Sequence, residues 1–181
     1  FAAASAAAQA HLIANSAAIV HFPDVRQDWV RAGGALYGLG VEHERCGNDD
    51  GFRPAMSLSS KLVAINRVAK GERVGYGGLY ECPDDMAIGV VAIGYGDGYP
   101  RSAATGTPVL LNGRAAPIIG RVSMDLMMID LRDHADAAIN DRVLLWGPDL
   151  PVERVAASAG TISYELTCGI TRRVMFLEDD S

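Results

Sequence analysis

Apolar and polar positions follow two different grammars on either side of residue 52. Upstream, short apolar runs change kind in turn. His11-Leu-Ile-Ala-Asn15 reads as a buried strand, and Ala17 to Val20 as a helix that Ser16 can cap. After Pro23 a second apolar stretch, Trp29 to Leu39, is broken by Gly33, Gly34 and Gly38. The mostly alanine opening, residues 1 to 10, predicts a further helix. A β, α, β order suits a parallel sheet covered by helices, and two strands alone leave its apolar edges bare. Residues 1–52 are therefore expected to be the end of a larger α/β unit.

The stretch from Val41 to Pro54, rich in charge and glycine and ending in proline, is the best linker candidate. Beyond it come short β-type runs: Leu58 to Val68, Val74 to Tyr80, Ala87 to Tyr95, Val109 to Leu111, Ala115 to Ile119, Ser123 to Leu131 and Arg142 to Trp146. Asn112-Gly113 between two of them predicts a type I′ hairpin, since both residues tolerate positive φ. Val152 to Ala159 has helical spacing with Gly160 placed to end it. Thr161 can start a second helix through Cys168, and Arg173 to Leu177 reads as a last strand. Residues 53–181 are expected to form a mainly antiparallel β-domain.

Composition narrows the classes of partner. The 181 residues are 49% hydrophobic and 21% charged, a globular balance with no membrane-spanning run. The net charge of −6 argues against nucleic acid, and the densest basic pair, Arg172-Arg173, leads into an acidic end that reads as solvated. Three widely spaced cysteines suggest neither a disulfide framework nor a zinc cluster, which fits a reducing, cytoplasmic setting. No export signal is visible at the start, and Phe1 in place of an initiator methionine suggests a chain that continues upstream. Of the 16 cationic residues only Lys61 and Lys70 are lysines.

Candidate chemistry is sparse. Gly75-Tyr-Gly-Gly78 and Gly94-Tyr-Gly-Asp-Gly98 lack dinucleotide spacing and read as turns or bulges. His11, His21, His43 and His134 show no i, i+4 pair, so no metal site is expected. Asp97, Asp125 and Asp130 read as turn caps or partners of arginine rather than as a catalytic pair. Ser16, at a strand end and opening a helix, makes an anion-binding corner suited to phosphate, and Gly33-Gly34 would let backbone N–H groups approach the same anion. An ordinary serine cap and glycine turn explain these residues equally well.

Six segments taken together resemble bacterial alanine racemases in order and spacing: HLIANSAA, WVRAGGALYGL, SLSSKLVAINRVAKGERVGYGGLY, AIGYGDGYPR, GRVSMD and ISYEL. The resemblance covers nearly the whole chain, and its specificity lies in VGYGGLY, IGYGDGYPR and GRVSMD. It implies a pyridoxal 5′-phosphate enzyme with an eight-stranded TIM-type (β/α)8 barrel and a C-terminal β-domain, working as a head-to-tail homodimer on alanine for the cell wall. Residues 1–52 would then be the last β/α units of that barrel and 53–181 the β-domain. The barrel portion that carries the family's cofactor-anchoring lysine would lie outside this chain, available only by pairing with an N-terminal half.

Carried over by position, Ser16 with the backbone N–H groups of Gly33 and Gly34 would bind the cofactor phosphate, joined by the Tyr164 hydroxyl. Arg31 matches the arginine facing the pyridine nitrogen, a permanent cation that donates a hydrogen bond without giving up its proton. Racemisation needs two groups on opposite faces of the substrate Cα, and Tyr76 matches one of them, supplied in the family to the neighbouring subunit's site. Met124 would offer its N–H to the substrate carboxylate, while Tyr95, Arg101, Arg121 and Asp125 match residues at the substrate entrance. Gly34 stands where many relatives have a β-branched residue, a departure that leaves the backbone contact intact, whereas Leu126, where others are polar, leaves room for a broader substrate range. The alternatives are a broad-specificity amino-acid racemase of the same fold and a non-catalytic association domain.

Overall fold

The computed structural model describes residues 11–26, 28–42 and 45–178, so the expected helix over residues 1 to 10, His43 and the acidic end beyond Glu178 lie outside the described residues. The chain divides into two compact units, with the boundary between Met56 and Ser57.

In the first unit, β1 (Leu12–Asn15) pairs in parallel with β2 (Trp29–Arg31), and α1 (Ser16–His21) leaves the end of β1 directly. The expected cap shifts by one residue: the Asn15 carboxamide accepts the Ala18 N–H at 2.9 Å, and Ser16 is the first helical residue. The expected long second strand is also corrected. β2 ends at Arg31, and Gly33–Tyr37 form the short helix α2. Alanine and leucine in this run favour helix over strand, and the Ser16 hydroxyl accepts the Ala35 N–H at 3.0 Å, satisfying one donor of the first turn. The segment read as a linker is bonded internally: Gly47–Asp50 make a 3-10 turn, and Asp50, its side chain only 3% exposed, pairs with Arg45 at 2.9 Å. Leu12, Phe22, Trp29, Val30 and Leu36 remain exposed on this unit.

The second unit is built on a closed, all-antiparallel barrel in the order β10-β3-β6-β9-β8-β7. Its strands are β3 (Leu58–Val68), β6 (Met86–Val91), β7 (Pro108–Leu111), β8 (Arg114–Ile119), β9 (Met127–Asp130) and β10 (Arg142–Trp146). β3 is long enough to pair with β10 at its start and with β6 at its end, and the register shift between Leu62 and Ala64 turns it from one neighbour to the other. The expected turn between β7 and β8 forms with Asn112 at φ 49° and Gly113 at φ 82°. Leu62, Val91, Val109, Ile118, Ile129 and Leu145 fill the core.

Three expected runs are shorter than read. Val74 to Tyr80 is a glycine turn between two-residue strands, β4 (Arg73–Val74) and β5 (Tyr80–Glu81); Gly75, Gly77 and Gly78 all have positive φ, which no strand accommodates. The run Ala87 to Tyr95 leaves its strand after Val91, and Ser123 to Leu131 enters one only at Met127. α3 (Val152–Ala159) ends at Gly160 in the left-handed conformation as expected, whereas α4 (Ser163–Gly169) starts two residues after Thr161.

The expected final strand does not form: Met175, Phe176 and Leu177 are each at least 68% exposed. A closed barrel offers no free edge for an additional strand to join. With its own core and no disulfide, the polypeptide 57–181 expressed alone is expected to unfold in one cooperative thermal transition by circular dichroism. A broad, non-cooperative melt would show that it depends on other parts.

Candidate functional site

The functional candidates fall into two groups, one on each unit. On the first unit Ser16 is 4% exposed and its hydroxyl is fixed by the Ala35 N–H. Leu36 N–H goes to the Ala32 carbonyl at 2.9 Å, so the Gly33 and Gly34 N–H groups are left without a partner among the described residues. A Cβ built on Gly33 meets no atom within 4 Å, so packing does not demand glycine there, whereas Gly34 is buried. Arg31, at the end of β2, points its guanidinium back along the sheet and donates from Nη2 to the Ile13 carbonyl at 3.2 Å.

On the second unit the glycine turn that carries Tyr76 has both feet anchored. Val74 and Tyr80 are paired across β4 and β5 and pack with Cys82, Met86, Ile88 and Ile119. Burial raises the Tyr80 phenol and the Cys82 thiol above their ordinary ranges, so both sit neutral in this small core. The turn is closed by Gly78 N–H to the Gly75 carbonyl at 3.0 Å. Gly75 lies against the backbone of Gly120 and Arg121, where an added Cβ would come within 3.3 Å of either residue. VGYGGLY and GRVSMD therefore touch. Tyr76 itself stands out from the turn, 65% exposed.

Beside this turn Leu79, Arg101, Thr105, Gly120 and Arg121 line a cleft of about 480 Å³, which brings the two expected entrance arginines together. Arg121 leads into a tight turn in which Ser123 N–H donates to the Leu126 carbonyl at 2.9 Å and Leu126 N–H to the Ser123 hydroxyl at 3.2 Å. Met124 and Asp125 form its tip. Met124 is 51% exposed and its N–H has no partner among the described residues. The Gly94–Gly98 segment lies along this tip: Tyr95 N–H donates to the Ser123 carbonyl at 3.0 Å and Gly96 N–H to the Met124 carbonyl at 2.8 Å. Tyr95, Met124 and Asp125 are thus one local constellation. Tyr164, on α4, is exposed and makes no hydrogen bond to the other candidates.

The aspartates behave as the sequence suggested. Asp97 accepts the Gly94 N–H at 2.9 Å, and Asp130 holds Arg132 at 2.6 Å, a bond that raises the affinity of that guanidinium for its proton. Asp125 pairs with Arg173, which also reaches Asp97 at 3.3 Å. Arg173, for which the sequence reading named no partner, is thus held by two acids. The acids signalled that they wanted arginines, but nothing local in sequence said which of 14 would come from 48 residues away.

Among the described residues no helix is long and apolar enough to cross a membrane. The chain matches the family model for the alanine racemase C-terminal domain over residues 55–177. It is 52% identical over 171 residues to an alanine racemase of Coxiella burnetii, covering 92% of this chain and 47% of that protein. It is also 47% identical over 163 residues to an alanine racemase of Piscirickettsia salmonis, there covering 98% of the relative. Among solved structures it is similar to the biosynthetic alanine racemase of Pseudomonas aeruginosa, with a TM-score of 0.88, 44% identity and coverage of 92% of this chain and 46% of the other. The alanine racemase of Streptomyces coelicolor aligns with a TM-score of 0.86 at 36% identity. The chain spans about half the length of most of these relatives.

Proposed function

Because this chain belongs to the alanine racemase family, carrying its C-terminal domain, we propose that it forms the C-terminal part of an enzyme that interconverts L-alanine and D-alanine with pyridoxal 5′-phosphate. The observation that carries the reading is the posture of Tyr76. A tyrosine kept for packing would be buried, as Tyr99 is at 1% exposure in the same unit; Tyr76 is 65% exposed on a turn whose feet are fixed. Such a phenol is free to meet a group outside its own unit, which supports the catalytic reading.

The residues on the first unit fit the cofactor's phosphate. A buried, oriented serine hydroxyl and two adjacent N–H groups without a partner among the described residues are a donor set for an anion. In this reading Ser16, Gly33 and Gly34 hold the phosphate, with the Tyr164 hydroxyl as a further donor, and Arg31 faces the pyridine nitrogen. Arg31 donates a hydrogen bond and keeps its proton, so it leaves that nitrogen unprotonated and limits how far negative charge spreads from the substrate. The cofactor, when bound, supplies the electron sink that makes the amino-acid Cα–H acidic.

The remaining work falls to this chain's side chains. Tyr76 Oη moves the proton at one face of Cα, the opposite face being served by the lysine of the N-terminal half. Met124 N–H binds the substrate carboxylate, and Tyr95, Arg101, Arg121 and Asp125 line the entrance through which alanine passes. The arginines there favour an anionic carboxylate at the mouth. We assign the enzyme to a cytoplasmic homodimer in which Tyr76 of one copy completes the site of the other. The three cysteines form no disulfide, which accords with a reducing compartment.

The phosphate corner is tested by titrating the assembled enzyme with pyridoxal 5′-phosphate and, separately, with pyridoxal. Ser16→Ala is expected to weaken the phosphorylated form by roughly tenfold or more, the worth of one hydrogen bond to a charged group, and to leave pyridoxal binding nearly unchanged. Equal losses for both would remove Ser16 from the phosphate site.

A further inference from the structure

The geometry points to Arg173 as a positioning residue that pins the Gly94–Gly98 segment onto the Met124-Asp125 turn and so sets where Tyr95 and the Met124 N–H meet a substrate carboxylate. One guanidinium spans both elements: Nε lies 3.3 Å from Asp97 Oδ1, and Nη2 donates to Asp125 Oδ1. Asp97 is only 14% exposed and is already tied to its own segment through the Gly94 N–H. The arginine is therefore anchored on the segment and reaches across to the turn.

Gly96 makes this crossing possible, because a Cβ there would overlap the guanidinium. Thr171 fixes the other end: its N–H donates to the Asp97 carbonyl at 3.0 Å and its hydroxyl to the Gly96 carbonyl at 2.9 Å, two residues before Arg173. The segment and the turn are also joined by the Tyr95 and Gly96 N–H bonds to Ser123 and Met124. Arg173 closes a ring of contacts around those two bonds.

An isolated exposed ion pair contributes little, but a cation shared by two carboxylates with a fixed fork holds a relative position. Lysine offers a single point charge and cannot reproduce both bonds in their directions. Arg173 does not touch the reacting atoms in this account. Its effect on substrate is exerted through Tyr95 and Met124, and that consequence rests on the racemase reading, whereas the clamp itself does not.

The test has two arms. In this chain, Arg173→Gln is expected to speed amide hydrogen exchange at Tyr95 and Gly96 by about tenfold or more, with the barrel amides of Leu110 and Ile129 unchanged as proof of folding. Arg173→Lys should fall between the two. In the assembled enzyme, Arg173→Gln should raise KM for alanine at least fivefold while kcat stays within about twofold. Unchanged exchange at Tyr95 and Gly96 overturns the clamp. Faster exchange with an unchanged KM overturns the positioning role. A wild-type enzyme without racemase activity, but with the same exchange response, would refute the proposed function and leave the clamp standing.

Discussion

Replacing Tyr76 by phenylalanine is expected to lower turnover of L-alanine by the assembled enzyme about 100- to 10,000-fold, the usual worth of a positioned acid or base. Only a hydroxyl is lost. The side chain is exposed, and the turn is held by the Val74–Tyr80 pairing and the Gly78 to Gly75 bond, none of which involves the phenol. Folding and affinity for pyridoxal 5′-phosphate should therefore stay within about twofold of wild type. Steady-state rates measured from each enantiomer, beside a cofactor titration, check this directly. Unchanged turnover in both directions would make Tyr76 a surface residue without a chemical role.

The largest expected effect on stability belongs to Trp146→Ala. Trp146 is 1% exposed near the end of β10 and stacks on Tyr99, ring centroids 6.0 Å apart at 17°. Truncating a buried tryptophan costs about 3–5 kcal/mol, and the lost aromatic pair belongs to the same deficit. For a domain of this size that lowers Tm by roughly 6–20 °C. Tyr99 lies between Tyr95 and Arg101, and burial pushes its phenol well above the ordinary range, so it is a neutral anchor for the segment that carries both. Trp146→Phe should cost much less, because the indole N–H has no partner among the described residues to lose. Trp29→Ala, at a site 66% exposed, is expected to change stability by only about 0.5 kcal/mol or less. Thermal melts of the three variants separate these cases.

What could be read in advance follows from where the determinants lie. The barrel strands were legible because each is a short apolar run with local punctuation, and Asn112-Gly113 specifies its own turn. α2 was not, since two leading glycines mask the helical preference of Ala35 and Leu36 until the Ser16 hydroxyl, 19 residues upstream, accepts the Ala35 N–H. The run Arg173 to Leu177 looks like a strand by composition alone, and only closure of the barrel explains why it has nowhere to pair. The strand-to-helix corner at Ser16 was visible because strand end and helix start are sequence-local. Arg173 was hidden because its partners, Asp97 and Asp125, come from distant loops that only the fold brings together.

The most direct measurement is chiral chromatography of L-alanine incubated with pyridoxal 5′-phosphate and either the 181-residue chain alone or the chain joined to the N-terminal half of an alanine racemase. The account predicts D-alanine accumulating toward an equal mixture with the joined protein, none with the chain alone, and a collapse of the rate when Tyr76 is phenylalanine. D-alanine formed by the chain alone at the joined protein's rate, or a joined protein that binds the cofactor and leaves L-alanine unchanged, would contradict it.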